Sequence, residues 1–460
     1  MTLIDPADAR PIHFIGIAGA GMSALAELFL RRGVRVTGCD SAPSAGFATD
    51  LARLGLPVWA GHDPGHVERA RAVVVTSAVN ANLPELARAR ELAIPVVRRA
   101  EALGEAVRGA ELVAIAGTHG KTTTTAMTTE ALAAAGLEPT GIAGGRVAAW
   151  NGNLRYASDR VFVAEADEYD RSFLALEPTV AVVTNVEADH LDIYQNLDEI
   201  KRAFEQFVRP ARAIVSCADD PGADDLIFET GADVFRYGIT DRARVAATRI
   251  RHEDGKTTFA VVFDGEAIGD VALRVPGLHN VRNALAAIAS GLALGTTLDA
   301  MRSGLEGFSG VERRFQRLGT SAGVEVIDDY AHHPTEIAAT LDAARTAFPG
   351  RRLVVAFQPH LFSRTRDFAE EFGQALAKAD AIFLAEIYAA REQPIPGVTA
   401  SLIEESCRGA GRPITWRGDR SVVAGALAGF VRAGDVVITA GAGDITRTGP
   451  ELLHRLASRT

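Results

Sequence analysis

A chain of 460 residues is too long for one hydrophobic core and predicts two to four domains. With 47% hydrophobic and 23% charged residues it has the balance of an ordinary globular protein. Its net charge of -10 argues against broad nucleic-acid binding, so an anionic ligand must be held by local cations, backbone N–H groups or metal. Three scattered cysteines (Cys39, Cys217, Cys407) form no CxxC pair, there is no basic-then-apolar leader, and no apolar run is long enough to span a bilayer. These absences predict a cytoplasmic protein without disulfides, zinc ribbon or membrane span.

The first segment reads as a strand over Ile12–Ile17, a small-residue turn to Gly21, a helix to about Arg32, and a second strand from Val34 to Gly38. Asp40 closes that second strand. The turn Gly16-Ile17-Ala18-Gly19-Ala20-Gly21 has the order G-x-x-G-x-G, which differs from the dinucleotide order G-x-G-x-x-G. Close backbone approach and a helix N-terminus suit a diphosphate. The alternative use of such a turn is tight strand–helix packing.

The second segment repeats the rhythm with strand Leu112–Ala116, loop Gly117–Gly120 and a helix from Lys121 to about Ala135. Gly117-Thr118-His119-Gly120-Lys121-Thr122-Thr123-Thr124 is a phosphate loop one glycine short of the usual pattern, because Ile115 stands where the first glycine falls. Glycines turn the backbone so that N–H groups face phosphate, Lys121 reaches the β/γ oxygens, and the Thr122 hydroxyl is placed to ligate magnesium. Two acidic patches follow at strand ends. Val161–Ala164 leads into Glu165-Ala166-Asp167-Glu168-Tyr169-Asp170, and Val180–Val183 leads into Thr184-Asn185-Val186-Glu187-Ala188-Asp189-His190. Taken singly these are solvated loop acids; paired beside a phosphate loop they read as cation ligands. The need for cations follows from magnitude. Two unit charges 4 Å apart repel by about 4 kcal/mol at an effective dielectric near 20.

The third segment has a strand from Val324 to Asp328, then Asp329-Tyr330-Ala331-His332-His333-Pro334 opening a helix to about Phe348. For His333 a cap or a core niche is the favoured reading. Later strands read as Leu353–Phe357, Ile382–Leu384 and Val436–Ala440, and Gly441-Ala442-Gly443-Asp444 reads as a packing turn. Strands alternating with helices predict three α/β domains with mostly parallel sheets, spanning 1–108, 109–312 and 313–460.

These motifs together resemble the Mur ligase family, which builds the peptide stem of peptidoglycan. The resemblance runs through GTHGKTTT, EADEYD and EADH to Pro276-Gly277-Leu278-His279-Asn280-Val281-Arg282-Asn283-Ala284, Arg313-Arg314-Phe315, Asp328–Pro334 and Gln358-Pro359-His360. It implies an N-terminal Rossmann-like UDP-binding domain, a central P-loop ATPase-like domain and a C-terminal Rossmann-like domain. The implied activity is ATP-dependent, ADP-forming ligation of an amino acid to the carboxylate of a UDP-sugar, with ATP and Mg2+ as cofactors.

Residue by residue, the resemblance gives ATP the loop Gly117, Thr118, His119, Gly120, Lys121, Thr122 and Thr123, with His279, Asn280, Asn283, Arg314 and Asp329. Metal goes to Thr122, Glu165 and His190, and Lys121, Glu165, His190, Arg314 and His332 form the catalytic set. Gly16, Ala18, Gly19, Ala20, Gly21, Asp40 and Ser77, more weakly His62, fall to the UDP-sugar; Tyr330, His332 and Arg364 to the amino acid and carboxylate arm. Leu361 stands where many members have an arginine, with Arg366 a possible substitute, and Lys201 is not given the role of the carbamylated lysine of some relatives.

The resemblance implies L-alanine and UDP-N-acetylmuramate as small-molecule substrates, no nucleic-acid or membrane partner, and a monomer or weak homodimer. Gln358–Arg366 and Ile387–Ile395 are similar to the alanine-adding members. His119 and EADEYD are shared with members that reattach a tripeptide during wall recycling, which is the rival substrate. From other classes come an NAD(P)-dependent oxidoreductase on the first segment, which leaves GTHGKTTT and the acids without a role, and a non-catalytic nucleotide-binding regulator. The implied chemistry is phosphoryl transfer to the carboxylate, then attack by the amine on the acyl phosphate, with His332 taking the ammonium proton and domain closure excluding water.

Overall fold

Runs of β-branched residues set the strands. The computed structural model describes residues 2–41, 45–56, 58–76, 79–80, 82–190, 193–226, 228, 230–240, 242–253, 255–390 and 392–458. Every residue of Val180–Val183, Val324–Asp329, Leu353–Phe357 and Val436–Ala440 is buried, as strands covered on both faces must be.

Three sheets result. The first contains β1 (Ile12–Ile15), β2 (Val36–Asp40), β3 (Val58–Ala60), β4 (Ala72–Val75) and β5 (Val96–Arg98), ordered β3-β2-β1-β4-β5 and parallel at every pairing. The second contains β6 (Glu111–Ala116), β7 (Thr140–Val147), β8 (Gly152–Arg155), β9 (Val161–Glu165), β10 (Val180–Val183), β11 (Ala213–Cys217), β12 (Asp233–Gly238), β13 (Val245–Glu253), β14 (Lys256–Phe263) and β15 (Glu266–Leu273). Its order is β15-β14-β13-β12-β11-β10-β6-β9-β7-β8, with β6 lying parallel to both β9 and β10.

The third sheet contains β16 (Gln316–Ser321), β17 (Val324–Asp329), β18 (Leu353–Phe357), β19 (Ala381–Ala385), β20 (Trp416–Gly418) and β21 (Val436–Ala440). It is ordered β16-β17-β21-β18-β19-β20, parallel except at β16. Side chains alternate across it. Ile327, Leu353 and Ile438 pack on Ile337 and Leu341, while Val326, Val354 and Val437 pack on Leu427 and Leu452. This is the three-domain α/β fold that the resemblance implied.

The chain divides into two compact units. One comprises Met1–Ile250, Thr258–Leu273 and Val281–Ser309, and the other Arg251–Thr257, Arg274–Asn280 and Gly310–Thr460. Among the described residues no helix is long and apolar enough to cross a membrane.

Boundaries around the first glycine turn differ from expectation, and β1 ends at Ile15 where Ile17 was expected. The first helix is Ala20–Arg31, so it opens inside the predicted turn: Gly19 is extended and its carbonyl already accepts from Met22 and Ser23. Strand β2 begins at Val36 where Val34 was expected, because Val34 N–H bonds back to Phe29 O and finishes the helix C-terminus through Gly33 at φ +77°. Strands β3 to β5, β7, β8, β11 to β16 and β20 were not anticipated. Strand β13 and the edge strand β15 are partly exposed and lack the continuous apolar runs of the central ones.

Candidate active site

After Ala116 the backbone must turn between strand and helix, and glycine is required twice. Gly117 has φ +139°, and a Cβ there would lie 2.0 Å from Thr184 Oγ1; Gly120 has φ +81°, and a Cβ would lie 2.9 Å from Asn283 Oδ1. The end of β10 fastens the loop. Thr118 N–H donates to Asn185 O at 3.1 Å and His119 N–H to Asn185 Oδ1 at 2.7 Å, while Thr184 Oγ1 and Asn185 Nδ2 donate to His119 O. With those two amides committed, an anion here would meet the N–H groups of Gly120, Lys121 and Thr122. These open the helix Lys121–Ala134 at its positive end.

That helix is rich in threonine, a poor helix former, and is held by burial. Thr124 Oγ1 donates to Asn283 Oδ1 at 3.1 Å, and Thr129 Oγ1 donates to Thr125 O. Asn283, on the helix Leu278–Ala293, thereby stands against the phosphate loop. Asn280, one turn earlier, donates to Pro276 O at 2.7 Å, and the His279 ring lies against Gly277.

Lys121 Nζ donates to Gly117 O at 2.6 Å and to both Glu168 oxygens at 2.9 and 2.8 Å. Burial by itself would lower its pKa, but the charges of Glu168, Asp167 and Glu165 outweigh burial and keep the ammonium protonated above its usual range. Glu168 also lies 3.6 Å from His190 Nε2. Glu165, at the tip of β9, accepts from Thr122 Oγ1 at 2.9 Å and from Gly144 N–H at 2.6 Å. Burial raises the Glu165 carboxyl against the pull of Lys121. For His190 burial acts downward, but the bond from Glu168 and the charge of Asp189 raise it overall. His190 has φ +54°, as do Asp170 and Arg171, so backbone strain gathers at this site. Loop, lysine, hydroxyl, carboxylates and imidazole converge beyond the carboxyl ends of β6, β9 and β10.

On the first sheet the strand order reverses between β1 and β4, the switch point at which open parallel sheets form a ligand crevice. Gly16 has φ +78° and faces Thr76, Gly19 caps the helix, and Ala18 N–H donates to Asp40 Oδ2 at 3.2 Å. Gly21 lies within the helix, where a Cβ would sit 2.8 Å from Arg99 Nη1. Arg99 lies 3.6 Å from Asp167, so a cation stands over the glycine turn and beside the acidic cluster. Asn153 and Ser23 both donate to Ala20 O. Ser77 lies outside the described residues. His62 lies 3.0 Å from Glu85.

In the second unit Asp329 is buried at the end of β17 and accepts from Phe315 and Ala331 N–H at 2.8 Å each. Burial, opposed by Arg314, pushes its pKa up to about 6. Arg313 and Arg314 stack on the Tyr330 ring at 4.7 and 5.2 Å, and Arg314 pairs with Glu336 at 3.3 Å. His332 Nδ1 faces two acceptors, Tyr330 O at 3.0 Å and Glu336 Oε2 at 3.1 Å, which makes Nε2 the basic nitrogen.

His333 is buried at the helix N-cap without a side-chain cap bond, and its ring meets Phe368, so it fills a core niche. Arg364 is buried on Phe362–Asp367, while the more exposed Arg366 is paired with Asp367 at 2.6 Å. Lys201 pairs with Asp225 at 3.1 Å. At the glycine turn after β21, a Cβ on Gly441 would meet Gln358 O at 2.8 Å, which is the packing role expected.

Glu168, Asn185, Arg99 and Glu336 were not singled out from sequence. Glu168 has a weak signal, three residues after Glu165; the others are defined by contacts across more than sixty residues or by a helix turn, which spacing does not reveal.

A phosphate cradle on one parallel sheet beside a glycine turn on another defines a multidomain nucleotide-binding α/β protein. Models of the Mur ligase family, catalytic domain, the Mur ligase middle domain and the Mur ligase, glutamate ligase domain match residues 11–111, 115–291 and 313–443. The chain belongs to the Mur ligase family. It is 45% identical over 461 residues to a UDP-N-acetylmuramate--L-alanine ligase of Streptomyces griseus subsp. griseus, covering 98% of each chain. The structure of a UDP-N-acetylmuramate-alanine ligase from Thermotoga maritima is similar at TM-score 0.84 and 30% identity, covering 98% of this chain and 100% of that one. A murein peptide ligase from Psychrobacter arcticus is similar at TM-score 0.72 and 25% identity, covering 98% and 99%.

Proposed function

We propose that the chain joins L-alanine to the carboxylate of UDP-N-acetylmuramate, consuming ATP and forming ADP, as a step of peptidoglycan precursor synthesis in the cytoplasm. The observation that carries this reading is the meeting of Lys121, Glu168 and His190 with Thr122 and Glu165 around one phosphate loop. The likeness to alanine-adding ligases along nearly the whole chain supports alanine over a tripeptide.

Residues 1–108 take the UDP-sugar through Gly16, Ala18, Gly19, Ala20, Gly21 and Asp40, with Arg99 an additional cation for the diphosphate. Residues 109–312 take ATP, and 313–460 serve the amino acid through Tyr330, His332 and Arg364. The donor set beside the loop fits a hard cation, since the Thr122 hydroxyl and the Glu165 carboxylate lie 2.9 Å apart. Thr122, Glu165 and His190 would hold a magnesium ion, which would supply positive charge to offset that of the reacting anions.

Lys121 and the amides of Gly120 and Thr122 hold the nucleotide phosphates while the muramate carboxylate oxygen attacks the γ-phosphorus and ADP leaves. The alanine amine then attacks the acyl carbon, the bond to the phosphate oxygen breaks, and inorganic phosphate departs. His332, its Nδ1 proton fixed by Tyr330 O and Glu336, offers Nε2 to the ammonium proton. No partner beyond these small molecules is required, and the chain works as a monomer or weak homodimer.

Phosphate release from ATP, measured with UDP-N-acetylmuramate and each single amino acid or the tripeptide, tests the proposal. Release driven by L-alanine is expected; release driven only by the tripeptide, or by no acceptor, overturns it.

A further inference from the structure

Outside the ligase site, five donors from separate elements of the first domain converge in one niche. They are His13 on β1, Cys39 on β2, His62 and His66 beyond β3, and Glu85 on the helix Pro84–Glu91. Cys39 Sγ lies 3.4 Å from His13 Nε2, 3.6 Å from His62 Nδ1 and 3.3 Å from Glu85 Oε1. A tetrahedral zinc ion with sulfur at about 2.3 Å and nitrogen at about 2.0 Å holds such atoms about 3.5 Å apart. The His13, Cys39 and His66 donor atoms lie within 4.8 Å of one another, and so do those of Cys39, His62 and Glu85.

Hydrogen bonding alone satisfies this cluster badly. Glu85 Oε1 faces four donors, namely Cys39 Sγ, His62 Nδ1, Asp63 N–H and His66 Nδ1, the three nitrogens at 3.0, 3.0 and 3.2 Å. One carboxylate oxygen cannot serve so many. Its twin Oε2 is fully buried and has no hydrogen-bond partner among the described residues. Outer contacts of the kind that orient metal ligands are in place. His13 Nδ1 is held by Thr37 Oγ1 at 3.0 Å, which turns Nε2 inward, and the Trp59 ring stacks on both His66 and His13. His62 and His66 are 20% and 18% exposed, which leaves an entry path.

We propose that Cys39, His13, His62, His66 and Glu85 form a site for a zinc-class divalent cation, separate from the magnesium position of the ligase reaction. The thiol loses its proton to solvent as the metal–sulfur bond forms, and thiolate plus carboxylate balance the two positive charges in the buried niche. The Cys39 carbonyl accepts from Gly16 and Ile17 N–H at 2.8 and 3.1 Å, so the cation braces the strand that carries the glycine turn.

Cobalt(II) titration of the full-length, chelator-treated protein, without nucleotide, tests the site. One equivalent per chain with a sulfur-to-cobalt charge-transfer band is expected. Zinc should displace it, Cys217→Ser should leave it, Cys39→Ser should abolish it, and His66→Ala should weaken binding more than about tenfold. Circular dichroism checks that each variant is folded. His66→Ala, at a partly exposed position, keeps the test valid should Cys39→Ser fail to fold. Absence of the band in the parent protein, or a band unchanged in Cys39→Ser or His66→Ala, overturns the proposal.

Discussion

Lys121 and Glu168 share one burial problem. The Glu168 side chain is 4% exposed, and its charge is tolerated because Lys121 and His190 face it. Lys121→Ala removes the cation intended for phosphate and also strands that carboxylate. The single variant should therefore lose turnover by at least about 100-fold and unfold more easily by roughly 3 kcal/mol. Adding Glu168→Gln should restore most of the stability and none of the turnover. Urea titration read beside phosphate release checks both halves; recovered turnover in the double variant would remove Lys121 from the chemistry.

Asp329 offers a pH test in the other unit. Its folded pKa, about 6, lies above the ordinary 3.8, so the folded state binds the proton more tightly between those values. Stability should then fall as pH rises from about 4 to about 6 and level off above. Asp329→Asn, compared with the parent by urea unfolding at pH 4.5 and 7, should flatten that slope.

Among the elements, the loop between β6 and its helix is the most constrained, because Gly117 has both a left-handed φ and no room for a Cβ. Gly117→Ala should push Thr184 away, disturb the Asn185 bonds to Thr118 and His119, and weaken ATP binding by more than about tenfold, read by calorimetry. Gly136→Ala is the control. It has φ +79° but open space, so it should cost only about 1–2 kcal/mol of stability and leave ATP affinity unchanged. This loop was legible in sequence almost to the residue, since glycine, lysine and threonine act there on their immediate neighbours. Strands β18 and β21 were equally legible because fully buried strands are uninterrupted apolar runs. The hairpin strands β13 to β15 were not, because many of their residues face solvent and break the uninterrupted apolar run by which the buried strands are recognised.

At the scale of the whole molecule, a chain of net charge -10 that handles anions must concentrate its cations. Lys121, Arg99 and the Arg313–Arg314 pair are such concentrations, each beside the end of a parallel strand. The amino-acid order by itself determined the α/β class, the three sheets, the phosphate loop and the acidic strand ends, since these follow from periodicity and loop chemistry between near neighbours. Only the tertiary structure decided that Glu168 partners Lys121, that Asn185 takes two loop amides, that Arg99 covers the first glycine turn, and that Cys39 meets three histidines. Those relations join residues that are remote along the chain, and only packing of the strands brings them within a few ångströms.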